Sequence, residues 1–246
     1  MKNFNHIVFI RFDTVSSTVI KDWIEYRFKF FIDYTLKNLL NQTNKDFTLW
    51  IRFNVLFKEY SSKLGDYLKE KGIKYIFTYT RFASESWTDK EENYKELREF
   101  FLSKEYVYYT RIDSDDLYDL TVIDEIQNTE IKDYKALQYP KGYLYNLVNE
   151  KLYHYDRIVN PFYTLICPSN IFIDRQIRVE YYDGFEENKI YDKSYTKFLS
   201  DNKFVVLVHS FNATNENSVL SGSLYYIGAE IRGEEKNKIL NNFLLK

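Results

Sequence analysis

The sequence predicts an α/β fold, a mostly parallel mixed sheet flanked by helices, with an antiparallel portion in its second half. Strand-length apolar runs alternate with helical apolar periodicity from residue 6 to residue 112, and that β-α-β-α-β-α-β order is what parallel strands need for their crossovers. From residue 134 onward short strand-like runs follow one another directly, as antiparallel neighbours do. A content of 45% hydrophobic and 28% charged residues is that of an ordinary globular chain, so a packed core can support this architecture without disulfide or metal.

His6 to Phe12 (HIVFIRF) is an apolar run closed by a charge, the first strand. From about Val19 to Gln42 the residues Ile20, Trp23, Ile24, Phe28, Phe31, Ile32, Leu36, Leu39 and Leu40 recur at three- and four-residue steps, predicting one amphipathic helix. Phe47 to Phe53 (FTLWIRF) is a second strand, Tyr60 to Lys71 a helix stopped by Gly72, and Ile73 to Tyr79 (IKYIFTY) a third strand. Thr88 can cap a helix running through Leu97 to Leu102, whose first turn carries Asp89, Glu91 and Glu92. Tyr106 to Ile112 (YVYYTRI) is the fourth strand. Beyond it, Tyr134 to Tyr139, Tyr143 to Val148 and Leu152 to Ile158 are expected to be antiparallel strands, the last two joined by a turn at Asn149-Glu150-Lys151. A helix around Tyr191 to Leu199, a strand at Phe204 to Val208 and a terminal helix at Lys236 to Leu245 complete the expectation.

Charge and cysteine usage narrow the function. The 34 Lys and Arg against 36 Asp and Glu leave a formal net charge of -2, without the basic excess that argues for a nucleic-acid partner. The single Cys167 rules out an internal disulfide and a thiolate zinc cluster, and it fits a reducing compartment. The N-terminal apolar run is broken by Arg11, too early for a signal peptide, and no window approaches the roughly 20 apolar residues of a transmembrane segment. A cytoplasmic protein is expected. The 24 Tyr, 20 Phe and 3 Trp are expected mostly to fill core, although aromatic faces also stack on sugars.

The fourth strand ends in Asp113-Ser114-Asp115-Asp116. Open parallel sheets bind ligands beyond the carboxyl ends of their strands. Three carboxylates in four residues repel one another unless a cation offsets them. A hard divalent ion, manganese or magnesium, takes such oxygens and keeps positions open for phosphates. It would bridge carboxylate and diphosphate and offset the charge that develops on a leaving nucleotide. A solvated turn is the plain alternative, since Asp and Ser are common there. The strand before the cluster, the flanking Arg111 and the helical pattern of Leu120, Val122, Ile123 and Ile126 favour a site.

Arg111-Ile112-Asp113-Ser114-Asp115-Asp116 after a strand resembles the Asp-x-Asp region of GT-A glycosyltransferases, in particular the putative rhamnosyltransferase family. Phe9-Ile10-Arg11-Phe12 is similar to that family's opening strand. Thr35-Leu36-Lys37-Asn38-Leu39-Leu40-Asn41-Gln42-Thr43 with Asp46-Phe47 is similar to a passage common in GT-A enzymes. Val208-His209-Ser210-Phe211-Asn212 resembles the late histidine segment. Together these span residues 9–212. The resemblance implies a GT-A-like, that is Rossmann-like, single domain over 1–246. Its nucleotide-binding half would be about 1–116 and its acceptor-side half about 117–246. It implies a hexosyltransferase acting on a dTDP-, UDP- or GDP-linked sugar, rhamnose among the candidates, and on a glycan or other hydroxyl acceptor. Carried over by position, Asp115 would ligate the metal, His209 would be a metal or diphosphate ligand, and Asp116 would be a ligand or support it, with a catalytic role open to it. Asp113 would lie near the ribose and Arg11 near the nucleotide. His6 and His154 lack such context and are expected to be structural.

One departure stands out. Many GT-A relatives carry an acidic pair after the second strand, where this chain reads Trp50-Ile51-Arg52-Phe53-Asn54, so base recognition must be arranged differently. Arg81, after the third strand, is a candidate phosphate contact. For a base that deprotonates the acceptor hydroxyl, Asp183 in Tyr181-Tyr182-Asp183-Gly184-Phe185-Glu186-Glu187 is the candidate, with Asp192 as a further option. Ser221-Gly222-Ser223 reads as a turn, and Pro161 to Thr164 with Tyr143, Tyr145, Tyr153 and Tyr155 is expected to shape the acceptor side. Two other functions compete: a sugar-nucleotide nucleotidyltransferase, which the lack of glycine and lysine in Asp13-Thr14-Val15-Ser16-Ser17 opposes, and a non-catalytic carbohydrate-binding protein, which needs no acidic cluster.

Overall fold

A computed structural model describes residues 3–12, 21–80, 91–131, 134–157, 162–173, 195–209 and 225–245. Strands β1 (Phe4–Phe12), β2 (Thr48–Asn54), β3 (Lys74–Thr80) and β4 (Tyr106–Ile112) are all parallel, in the order β3-β2-β1-β4. These are the four strands expected from the first half. Along β1, Val8, Ile10 and Phe12 enter one core cluster while Ile7 and Phe9 enter another. Both faces are therefore covered, which is why these strands read as continuous apolar runs rather than alternating ones.

The helices on the first face are α1 (Lys21–Phe31), α2 (Lys37–Leu40) and α3 (Lys58–Glu70); the other face carries α4 (Glu91–Leu102) and the short α6 (Ser169–Phe172). The helix expected over Val19 to Gln42 is interrupted by a π-helical turn at Ile32–Leu36. Its inserted residue shifts the phase, so Ile24, Phe28 and Phe31 before it and Leu36 and Leu39 after it all reach the same core. Gly72, expected as a helix stop, adopts φ +68, the left-handed geometry that ends a helix at little cost.

The second half adds strands to this sheet as well as forming one of its own. The helix α5 (Val122–Asn128) is followed by β6 (Ala136–Gln138), β7 (Lys141–Asn146), β8 (Lys151–Arg157), β9 (Tyr163–Pro168), β10 (Thr196–Phe198), β11 (Phe204–Val208) and β12 (Tyr225–Ile231). The main sheet runs β10-β6-β9-β4-β1-β2-β3, with β9 antiparallel to both β4 and β6. The second sheet runs β12-β8-β7-β11-β5, where β5 is Leu117–Tyr118. The expected β7–β8 hairpin is present, with Glu150 at φ 57 in its turn.

Three expectations need correction. Residues 196–198 of the expected Tyr191 to Leu199 helix form β10, because that edge pairs in parallel with β6; 191–194 lie outside the described residues. The expected strand at Tyr134 to Tyr139 shrinks to Ala136–Gln138 and joins the main sheet, not its neighbours in sequence. Strands β9 and β12 were not expected at all. Among the described residues, no helix is long and apolar enough to cross a membrane.

Helix α7 (Gly233–Asn242) packs Ile239, Leu240 and the following Phe243 against Leu117, Val205 and Leu207 of the second sheet, in a cluster that also contains Phe30 of α1. Helix α1 thus presents Ile24, Phe28 and Phe31 to the main sheet and Phe30 to the second. That placement brings one face of α1 to the carboxyl end of β4.

Candidate active site

The acidic turn leaves β4 at Ile112 and closes with Asp116 N–H donating to the Asp113 carbonyl at 3.2 Å. The segment from Thr35 to Thr43 is the frame that holds it. Thr35 Oγ1 donates to the Ser114 carbonyl at 3.2 Å. Asn38 pairs with the backbone of Tyr118 in both directions, at 2.9 and 3.2 Å. Gln42 does the same across the start of α5, donating to the Asp119 carbonyl and accepting from Ile123 N–H. Thr43 N–H donates to the Leu120 carbonyl at 2.8 Å. Asn38 and Gln42 are each 1% exposed, and their buried amides position residues 118–123, with Asn38 also donating to the Phe243 carbonyl at 3.4 Å.

The three carboxylates diverge. Asp113 Oδ1 accepts from Arg111 Nη2 at 3.3 Å and is the most open of the three. Asp116 turns inward, 5% exposed, and its Oδ1 accepts Leu207 N–H at 3.2 Å, tying the acidic turn to β11. Burial, then the Asp115 and Asp113 charges, push its carboxyl well above the usual carboxylate range. Asp115 points to α1, where Arg27 Nη1 lies 2.5 Å and His209 Nε2 3.4 Å from its Oδ2. Burial alone would raise the Asp115 carboxyl, but the Arg27 charge and the hydrogen bonds from His209 and Arg27 hold it down at about 2. The three carboxylates thus find different surroundings: one faces Arg111, one faces Arg27 and His209, and one turns inward onto the Leu207 N–H, where burial pushes its carboxyl up.

His209 follows the last residue of β11 and is 6% exposed. Its ring lies between aromatic residues of α1, with centroids 4.2 Å from Phe30 and 5.5 Å from Tyr26. Arg27 completes the group: Nη2 donates to Ser114 Oγ at 2.7 Å while Nη1 lies 3.4 Å from His209 Nε2. Sequence reasoning missed Arg27, because one arginine among the charged residues of an amphipathic helix carries no motif.

On the other face of the sheet, Arg11 of β1 and Arg52 of β2 are register partners, and Arg111 of β4 pairs with Phe9, two residues before Arg11. By the two-residue period of strands, all three share the face of Phe9. The Arg52 guanidinium stands 5.5 Å from the Phe9 ring centre. Arg11 therefore has basic neighbours at the carboxyl edge, which a phosphate-bearing ligand would favour. Candidates Arg81, Asp183 and Asp192 lie outside the described residues. His6 is buried and hydrogen-bonded, while His154 is exposed. Tyr143, Tyr145 and Tyr155, expected to shape an acceptor surface, are 7%, 7% and 3% exposed and mostly fill core.

Asp115 and His209 supply a carboxylate oxygen and an imidazole nitrogen, donor types that manganese accepts beside phosphate oxygens. Two neighbouring donors around one such ion stand roughly 3 Å apart, so the observed 3.4 Å pair fits two of its positions. Among the described residues, no third His, Cys, Asp or Glu joins them. A metal here would need its remaining positions filled by substrate or water.

This arrangement can be set beside known proteins. The chain matches the family described as "Putative rhamnosyl transferase" over residues 15–220. That span covers the acidic turn, its Thr35–Thr43 frame and His209. The chain belongs to this family. It is a glycosyltransferase, and its helix-flanked, largely parallel mixed sheet with an antiparallel portion in the second half is the α/β fold class that the sequence predicted. A comparison with curated proteins gave no match. Among solved structures, TarS of S. aureus, residues 1–349 in complex with UDP, is 12% identical over 98% of this chain and 70% of that one, with a TM-score of 0.46. The glycosyltransferase GlyE of Streptococcus pneumoniae TIGR4 is 12% identical over 99% of this chain and 61% of that one, at 0.49. Neither likeness bears on residue roles or ligands.

Proposed function

We propose that this glycosyltransferase moves a sugar, rhamnose by the family's description, from a dTDP-, UDP- or GDP-linked donor to a hydroxyl of a glycan or similar acceptor, with manganese or magnesium held by Asp115 and His209. The observation that carries this proposal is the convergence of those two residues, from the end of β4 and the end of β11, to 3.4 Å. When bound, the ion would offset charge developing on the leaving diphosphate. Asp115 is suited to hold it because a carboxylate oxygen at the end of β4 is a hard donor facing the imidazole nitrogen of His209. Asp116 acts as a positioning residue, fixing β11 two residues before His209 through Leu207 N–H. Arg11, with Arg52 and Arg111 on the same face, would lie near the nucleotide, Arg81 would supply a phosphate contact, and Asp113 would take the ribose. Asp183 is proposed as the base that accepts the acceptor's hydroxyl proton. The chain's single cysteine, Cys167, is buried, and a lone cysteine suits work in the reducing cytoplasm.

The test is a screen of nucleotide-sugar donors with manganese, following release of the nucleoside diphosphate. Turnover should require the metal and collapse in Asp115→Ala. Equal turnover in that variant, or undiminished turnover with a chelator, would overturn the metal assignment.

A further inference from the structure

We propose that Arg27 is the resident counter-cation of the Asp115–His209 pair, and that a divalent ion enters the site only by displacing its guanidinium. This rests on the proposal that Asp115 and His209 hold the metal. The sequence presented the acidic turn as a cluster in need of a cation, and the fold brings one from α1. Arg27 Nη1 lies 2.5 Å from Asp115 Oδ2, the oxygen that also faces His209 Nε2. The same nitrogen lies 3.4 Å from His209 Nε2, so both donor atoms converge on the guanidinium. The fork is completed by Nη2 on Ser114 Oγ at 2.7 Å. A guanidinium keeps its charge at every accessible pH, so it cannot vacate the site by losing a proton. A metal ion touching Asp115 Oδ2 and His209 Nε2 would meet that positive charge within contact distance, a repulsion that is relieved when the guanidinium moves away.

Arg27 reaches the surface. Its side chain is 15% exposed, and Trp23 lies one turn earlier on α1, its ring centre 5.8 Å from the guanidinium carbon. Movement along the helix surface keeps the cation over that indole face. The donor-free site is therefore charge-compensated, and metal alone should bind weakly. Pyrophosphate supplied with the metal offers the displaced guanidinium a new anionic partner, so the two should bind together better than either does alone.

The test is manganese binding by the full chain, measured from the spectroscopic signal of the free ion, with and without inorganic pyrophosphate. Arg27→Met should bind manganese alone more tightly than wild type, by roughly tenfold or more, the scale on which freeing a partly buried carboxylate from its guanidinium acts. The strengthening by pyrophosphate should shrink in the same variant. Arg27→Lys, a compact cation without the fork, should fall between the two and serves if the methionine variant does not fold. Equal or weaker manganese binding in a folded Arg27 variant would overturn the exchange while leaving the metal assignment intact. Asp115→Asn separates the two ideas: binding that persists in Asp115→Asn, with or without Arg27, would overturn both.

Discussion

His209 Nε2 stands 3.4 Å from Asp115 Oδ2, although one follows β11 and the other follows β4. Two strands of different sheets thus end on one spot, and Asp116, through Leu207 N–H, locks their relative position. Removing the Asp115 carboxylate should lower metal-dependent turnover by about 10² to 10³, the usual cost of losing one contact to developing charge. Asp115→Asn keeps the shape and should lose nearly as much. Steady-state kinetics across a manganese titration checks this, and unchanged manganese dependence would count against it.

His209 should behave differently from a residue that merely fills core. Its ring is held by Phe30 and Tyr26, so His209→Ala opens a cavity and costs about 1–3 kcal/mol of stability. His209→Phe refills most of that volume but cannot ligate. Both variants should weaken manganese binding by at least about tenfold, while only the alanine variant lowers the melting temperature appreciably. A phenylalanine variant that binds manganese as wild type does would make His209 structural.

Much of this was legible in the sequence, and what was not had physical reasons. Strands β1, β2 and β4 announced themselves because both of their faces are largely buried, and the acidic turn because it ends such a strand. The Thr35–Thr43 passage was recognisable only as a resemblance; its buried amides bond to residues 118–123, about eighty positions away. Arg27 gave no signal because Ile24, Phe28 and Phe31 dominate the helix pattern around it. Strand β9 was hidden because its partners, β4 and β6, are not its neighbours in the chain. The carboxylates of the acidic turn were counted as one cluster because sequence spacing does not reveal that a turn points them apart.

Asp116 offers a test of that divergence. Its Oδ1 accepts from a buried backbone N–H, and its carboxyl is pushed well above the ordinary range by burial and by the neighbouring carboxylates. Asp116→Asn keeps a carbonyl oxygen for Leu207 N–H without a charge to bury, and should change stability little at neutral pH. Asp116→Ala leaves that N–H unsatisfied and should cost about 1–3 kcal/mol. Urea midpoints decide it, and an asparagine variant as damaged as the alanine would show that the buried group works as a charged one.

Gly142 tests the packing beneath β11. A Cβ there would come within 2.5 Å of the Phe204 carbonyl oxygen and 2.6 Å of its ring. Phe204 cannot easily yield, since it stacks on Phe162 at 3.9 Å with nearly parallel planes. Gly142→Ala should therefore destabilise the protein by about 1–3 kcal/mol or more, the scale of an overpacked core. Because β11 carries His209 at its end, the variant should also weaken manganese binding. A thermal melt and a binding isotherm on the same sample check both, and an unchanged melting temperature would be the contrary result.

His6 should impose a pH dependence on stability away from the active site. Gln127 Nε2 donates to the Asp46 carbonyl at 2.8 Å and lies 3.0 Å from His6 Nδ1. His6 Nε2 is 2.8 Å from Thr110 Oγ1, which in turn meets Thr164 Oγ1 at 2.7 Å. The amide donates to Nδ1, so the imidazole is neutral with its proton on Nε2, and burial lowers its pKa to about 3. The folded pKa lies below the unfolded value near 6.5, so the unfolded chain binds the extra proton first as pH falls. Stability from this group is complete above about pH 6.5 and is lost progressively towards pH 3, by roughly 2 kcal/mol at pH 5. His6→Gln has no titrating group, and its stability should change less between pH 7 and pH 5 than that of the parent. Parallel slopes for the two proteins over that interval, in urea unfolding, would show that His6 is not the group responsible.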